Sequence, residues 1–97
     1  MRVIVRESAE ADLDHIAEWI RRDSQAAAVR MVASIRDRIN SLETDELAHM
    51  GRPGFVEDTR ELLEYPYIIV YKVFEGRGET VVLSVVHGAQ DREREPR

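Results

Sequence analysis

Short stretches of alternating, helical and continuous apolar pattern succeed one another along the chain. Val3 and Val5 alternate with Arg2, Ile4 and Arg6, a β-prone run that predicts a largely buried first strand. Leu13, Ile16, Ala17 and Ile20 then recur at i, i+3, i+4 and i+7, which places one apolar stripe on an amphipathic helix of about four turns. Ser8 is positioned as its N-cap, and Glu10 and Asp12 complement the positive helix end. Arg22-Asp23-Ser24 interrupts the pattern, and Ser24 is placed to cap a second helix with apolar positions Ala28, Met31, Val32, Ile35, Ile39 and Leu42. The short link predicts an antiparallel helical hairpin.

Beyond Leu42 the periodicity dissolves into residues 43–58, with Gly51-Arg52-Pro53-Gly54 marking a turn-rich connection. A loop of that length in a compact domain has a use or contains some local helix. Thr59–Glu64 predicts a short strand and Tyr67–Phe74 a longer one, apolar on both faces as in a central strand. Glu75-Gly76-Arg77-Gly78 is a hairpin turn, and Thr80–Val86 returns as the last strand. The predicted order is βααβββ, an α+β fold with the helical hairpin packed on a small, mostly antiparallel sheet. Residues 1–91 read as a single domain, and 92–97 as a charged tail with nothing apolar to bury, expected to be flexible.

Composition narrows the chemistry. With 97 residues and no cysteine there is room for one modest core, and disulfides, cysteine zinc sites and thiol nucleophiles are excluded. The N-terminus lacks the long apolar run of a signal peptide or membrane span, so the expected location is the cytoplasm. The net charge is -5, and it is uneven: residues 43–64 hold seven acids against two arginines, whereas 24–42 hold Arg30, Arg36 and Arg38 against one acid. Such acidity disfavours phosphate-backbone binding.

His15, His49 and His87 are scattered with no ligand spacing, so no metal is expected, and no phosphate-binding loop or elbow serine is present, so no cofactor is expected. His87 stands where an apolar strand ends, a rim position from which an imidazole can act as general acid or base; the plainer reading is a rim histidine bonded to backbone. Arg60, on the short preceding strand, could neutralise a phosphate, with pairing to Glu57, Glu61 or Glu64 the plainer expectation. Trp19 lies off the apolar stripe, either an exposed hot spot or a core residue on a wide apolar face.

Ser8–Ile16 after a short strand, Gly51-Arg52-Pro53-Gly54, Thr59-Arg60-Glu61-Leu62, Tyr67–Val73 and Val85-Val86-His87-Gly88-Ala89-Gln90-Asp91 together, in this order and spacing, resemble the RelE/ParE superfamily of bacterial toxins. The resemblance implies the toxin of a type II toxin–antitoxin, or plasmid-stabilisation, module. It also implies a hetero-oligomer with a cognate antitoxin, of ribbon-helix-helix ParD-like or RelB-like type, that contacts operator DNA only through the antitoxin, with no membrane partner. RelE-like members cut mRNA in the ribosomal A site without a metal; ParE-like members inhibit DNA gyrase. Where RelE-like chains carry basic residues, this one has Ile68, residues near Thr59 and Glu61, and Ala89. The helix opening Ser-Ala-Glu-Ala-Asp-Leu also looks more like ParE. The expectation is therefore a gyrase inhibitor, the alternative a ribosome-dependent endoribonuclease using Arg60 and His87. Trp19, Arg30 and Arg36 on the hairpin are the expected partner-binding residues, and the hairpin and the tail from Asp91 the expected gyrase contacts.

Overall fold

The computed structural model describes residues 1–44 and 48–89. Strand β1 (Arg2–Val5) leads into helix α1 (Glu7–Arg21) and helix α2 (Gln25–Asn40), which ends in a 3-10 turn at Ser41–Glu43. Strands β2 (Arg52–Pro53), β3 (Arg60–Glu64), β4 (Tyr67–Phe74) and β5 (Glu79–His87) follow. They form one sheet in the order β1-β5-β4-β3-β2, with β1 parallel to β5 and every other pairing antiparallel. Both helices pack on one face, an α+β architecture that matches the predicted order except for β2. That strand lies in the stretch expected to be a turn. Its two residues pair only with Arg60 and Glu61, so the outer edge of β3 beyond Glu61 stays open among the described residues. Leu63 and Tyr65, at the end of that edge, are 55% and 80% exposed.

The core forms where the predicted stripes meet the sheet. Leu13, Ile16, Ile35, Ile39 and Leu42 pack on Tyr67, Ile69, Tyr71, Val82 and Val85, with Ala17 and Ile20, and Met31 and Val32, half-buried on the helices. β4 is buried from Tyr67 to Tyr71, including Ile68 and Val70 on the face away from the helices, as a central strand requires. Val82 and Val85 are three residues apart, and strict alternation would turn them to opposite faces. A β-bulge reconciles them: Val70 pairs with Ser84 but Tyr71 with Val82, leaving Leu83 as the extra residue and returning Val85 to the core.

Ser24 caps α2 as its position predicts, its Oγ accepting from the Ala27 amide at 3.1 Å. Ser8 does not cap α1. The N-cap is Arg6, with no side-chain cap, and Ser8 sits in the first turn with its hydroxyl donating to the carbonyl of the bulged Leu83 at 2.8 Å. Asp12 does more than complement the helix end: its Oδ2 accepts from the Val85 amide at 2.9 Å. Because β1 pairs with β5 only as far as Val82, the Arg6 amide and the side chains of Ser8 and Asp12 take over as hydrogen-bonding neighbours of β5. Among the described residues no helix is long and apolar enough to cross a membrane. The tail at 92–97 lies outside the described residues.

Candidate functional site

Arg60 and His87 both lie on the helix-bearing face of the sheet but at opposite ends. Arg60 pairs across β3–β4 with Tyr71, and His87 across β4–β5 with Tyr67. Four residues along β4 and two strand spacings separate them, a diagonal of about 16 Å from standard sheet dimensions. The structure does not bring this pair together.

At the Arg60 end, the guanidinium Nη1 donates to the carbonyls of His49 and Gly51, each at 3.0 Å. The buried Tyr71 hydroxyl donates to the Ala48 carbonyl at 2.8 Å and accepts from the Gly51 amide at 3.1 Å. Gly51 sits so close that a Cβ would overlap that hydroxyl. Burial pushes the Tyr71 phenol above its ordinary pKa, partly offset by the Gly51 amide and the Arg60 charge. Arg60 and Tyr71 thus clamp residues 48–51 to the sheet. Of the acids expected to pair with Arg60, Glu61 and Glu64 are engaged elsewhere. Glu64 meets Arg38 at 3.3 Å, and the buried Glu61 meets Arg52 at 2.9 Å and accepts from the Phe55 amide at 3.2 Å. That carboxylate folds the 52–55 segment back on the sheet, a role its alignment with nuclease lysines does not foretell.

At the other end, His87 packs edge-on against Tyr67, ring centroids 5.4 Å apart and planes at 85°. Its Nδ1 accepts from the Ala89 amide at 3.1 Å, which puts the proton of the neutral ring on Nε2. This agrees with a rim histidine bonded to backbone. Burial raises the Tyr67 pKa. His87 and Tyr67 line a cleft of about 500 Å³ with Asp12, His15 and Trp19 of α1. Trp19 is 66% exposed and carries the Arg22 guanidinium 5.2 Å from its ring centre. The company of His87 is therefore His15 and Trp19, not Arg60. Asp12, His15 and Trp19 fall at i, i+3 and i+7 of one helix, so their shared flank is readable from the sequence; what faces that flank depends on sheet register.

Trp19 and Arg36 are separated as well. Arg36 borders a shallow groove on the outer side of the hairpin, lined by Ala17, Ala28, Val29 and Val32 with Arg21 on the rim. It holds Glu10 with two hydrogen bonds, 2.7 and 3.3 Å, tying α2 to α1 and keeping the Glu10 carboxyl below its usual range. Arg30 is exposed on α2. Among the described residues no cluster of three or more His, Asp or Glu could hold a metal.

The family model for the ParE toxin of the type II toxin–antitoxin system parDE matches residues 3–92. A protein of Sinorhizobium fredii (strain NBRC 101917 / NGR234) named "Putative toxin Y4kP" is 38% identical over 80 residues, covering 80% of this chain and 78% of that protein. A structure of the chromosomal ParDE system from P. aeruginosa superposes with a TM-score of 0.78 at 26% identity, covering 90% of this chain and 95% of that one. The toxin–antitoxin complex RelBE2 from Mycobacterium tuberculosis shares the fold, with a TM-score of 0.66 at 19% identity over 89% and 95% of the two chains. With a family match over nearly its whole length and the fold to go with it, this chain belongs to the ParE toxin family of type II toxin–antitoxin systems.

Proposed function

We propose that the chain is the toxin of a cytoplasmic module, held inactive by a cognate antitoxin, and that it acts as a protein inhibitor of DNA gyrase. One observation carries the choice of mechanism. Metal-free RNA cleavage needs its acid, base and charge-stabilising groups around one phosphate, and Arg60 and His87 lie at opposite ends of β4. The positions aligned with nuclease cations point the same way: Ile68, Thr59 and Glu61 are buried, and Ala89, which is exposed, carries no charge. An endoribonuclease using Arg60 and His87 has no such support.

The groove on the hairpin suits an antitoxin helix. Its floor of Ala17, Ala28, Val29 and Val32 fits an apolar helical face, and Arg21 and Arg36 at its border, with Arg30 exposed on α2, favour acidic residues flanking that face. The similar ParDE structure is of a toxin–antitoxin system, in keeping with an antitoxin partner. Purified toxin added to a gyrase supercoiling reaction is expected to block supercoiling, and antitoxin to restore it. Unimpaired supercoiling alongside arrested translation would overturn the gyrase reading.

A further inference from the structure

The cleft shared by α1 and the His87 end of the sheet is separate from the hairpin groove, and its chemistry differs. Four of its lining side chains carry rings: His15, Trp19, Tyr67 and His87. Ile16 and Val85 supply aliphatic wall, and the cleft has a volume of about 500 Å³, within the range of small-ligand sites. Trp19, two-thirds exposed, offers a flat stacking surface, and its ring bears the Arg22 guanidinium. Asp12 adds directionality. Its Oδ2 is fixed by the Val85 amide at 2.9 Å, which orients the carboxylate and leaves Oδ1 to accept a hydrogen bond at the cleft.

We propose that this cleft binds a guanine nucleotide, the base stacked on Trp19 with its N–H edge toward Asp12 and the phosphate toward Arg22. Guanine is the purine that presents adjacent N–H donors, which an acceptor-only carboxylate recognises, whereas adenine presents an acceptor at the corresponding ring nitrogen. A mononucleotide suits the electrostatics better than a polymer. One phosphate needs one cation, while a long backbone meets the repulsion of a chain with net charge -5.

Trp19 is the single tryptophan of the chain, so its fluorescence reports on this cleft alone. The full chain, free of gyrase and antitoxin, is titrated with GMP, AMP and inorganic phosphate. GMP is expected to quench the emission saturably with a dissociation constant of about 0.1–1 mM, in keeping with one stacked base and a few hydrogen bonds. AMP should bind about tenfold more weakly for want of the N–H edge, and inorganic phosphate alone should leave the emission unchanged. Asp12→Asn, whose amide oxygen still accepts from Val85, should keep the fold by circular dichroism yet lower GMP affinity about tenfold. Emission indifferent to GMP, equal affinity for AMP, the same response to phosphate alone, or undiminished GMP binding by Asp12→Asn would each overturn the assignment. None of these outcomes depends on what the toxin does to gyrase.

Discussion

At Tyr71 one hydroxyl closes two backbone groups of the loop that precedes β2, donating to Ala48 and accepting from Gly51 inside the protein. Removing it leaves a buried amide and a buried carbonyl without their partner. Tyr71→Phe is expected to destabilise the fold by about 1–3 kcal/mol, measured by urea unfolding, because desolvated groups lose their bonds while packing is kept. The ionisable groups add two pH limits. Tyr67 and Tyr71 have pKa values raised above the ordinary phenol value, chiefly by burial, so the folded state keeps their protons longer than the unfolded chain. That stability is fully present below about pH 10 and is lost as pH rises through the raised values. Glu10 has the opposite sign. Its hydrogen bonds to Arg36 lower its pKa, so its contribution is present above the ordinary carboxylate range and disappears as pH falls through the lowered value. Thermal melts across pH should therefore fall at both ends, and Arg36→Ala should remove the Glu10 part of the acid-side decline while leaving the alkaline side intact. Both partners are half exposed, so the loss at neutral pH is small.

At the scale of elements, α1 performs a task usually given to a strand. β1 stops pairing at Val82, and from there the hydrogen-bonding groups of β5 are met by the Arg6 amide, the Ser8 hydroxyl and the Asp12 carboxylate. Asp12→Ala would orphan the Val85 amide and is expected to cost about 1–3 kcal/mol in chemical denaturation; Asp12→Asn retains an acceptor and should cost well under half of that. The helices themselves were legible, because the stripes of Leu13, Ile16, Ala17, Ile20 and of Ala28, Ile35, Ile39, Leu42 need only a 3.6-residue period. The role of Ser8 was not. A serine followed by acids in a first turn satisfies the chemistry of a cap, and only the position of Leu83 across the sheet shows that its hydroxyl is used elsewhere. β2 escaped for a related reason: two residues flanked by glycines, one of them a proline, carry no alternation, and their strand character exists only through Arg60 and Glu61.

For the whole molecule, element order and fold family were readable because they follow from element sequence and spacing, whereas the strand order of the sheet and the grouping of side chains into sites were not. Which residues share a cleft is decided by cross-strand register and by the bulge at Leu83: Tyr67 falls beside His87 and Tyr71 beside Arg60, so two residues that seem natural partners in the sequence end up apart. The acidity of residues 43–64 also takes on a local meaning, since Glu61 and Glu64 are paired with Arg52 and Arg38, and Glu61 braces a loop. The short β2 has a consequence for handling the protein. Where it ends, the β3 edge has no strand partner among the described residues, and Leu63 and Tyr65 beside it are exposed. Toxin purified alone should therefore form concentration-dependent oligomers by light scattering, and Leu63→Lys should shift them toward monomer. Yield of the lone chain should on this ground fall as its concentration rises, and a partner that pairs with the β3 edge should recover it.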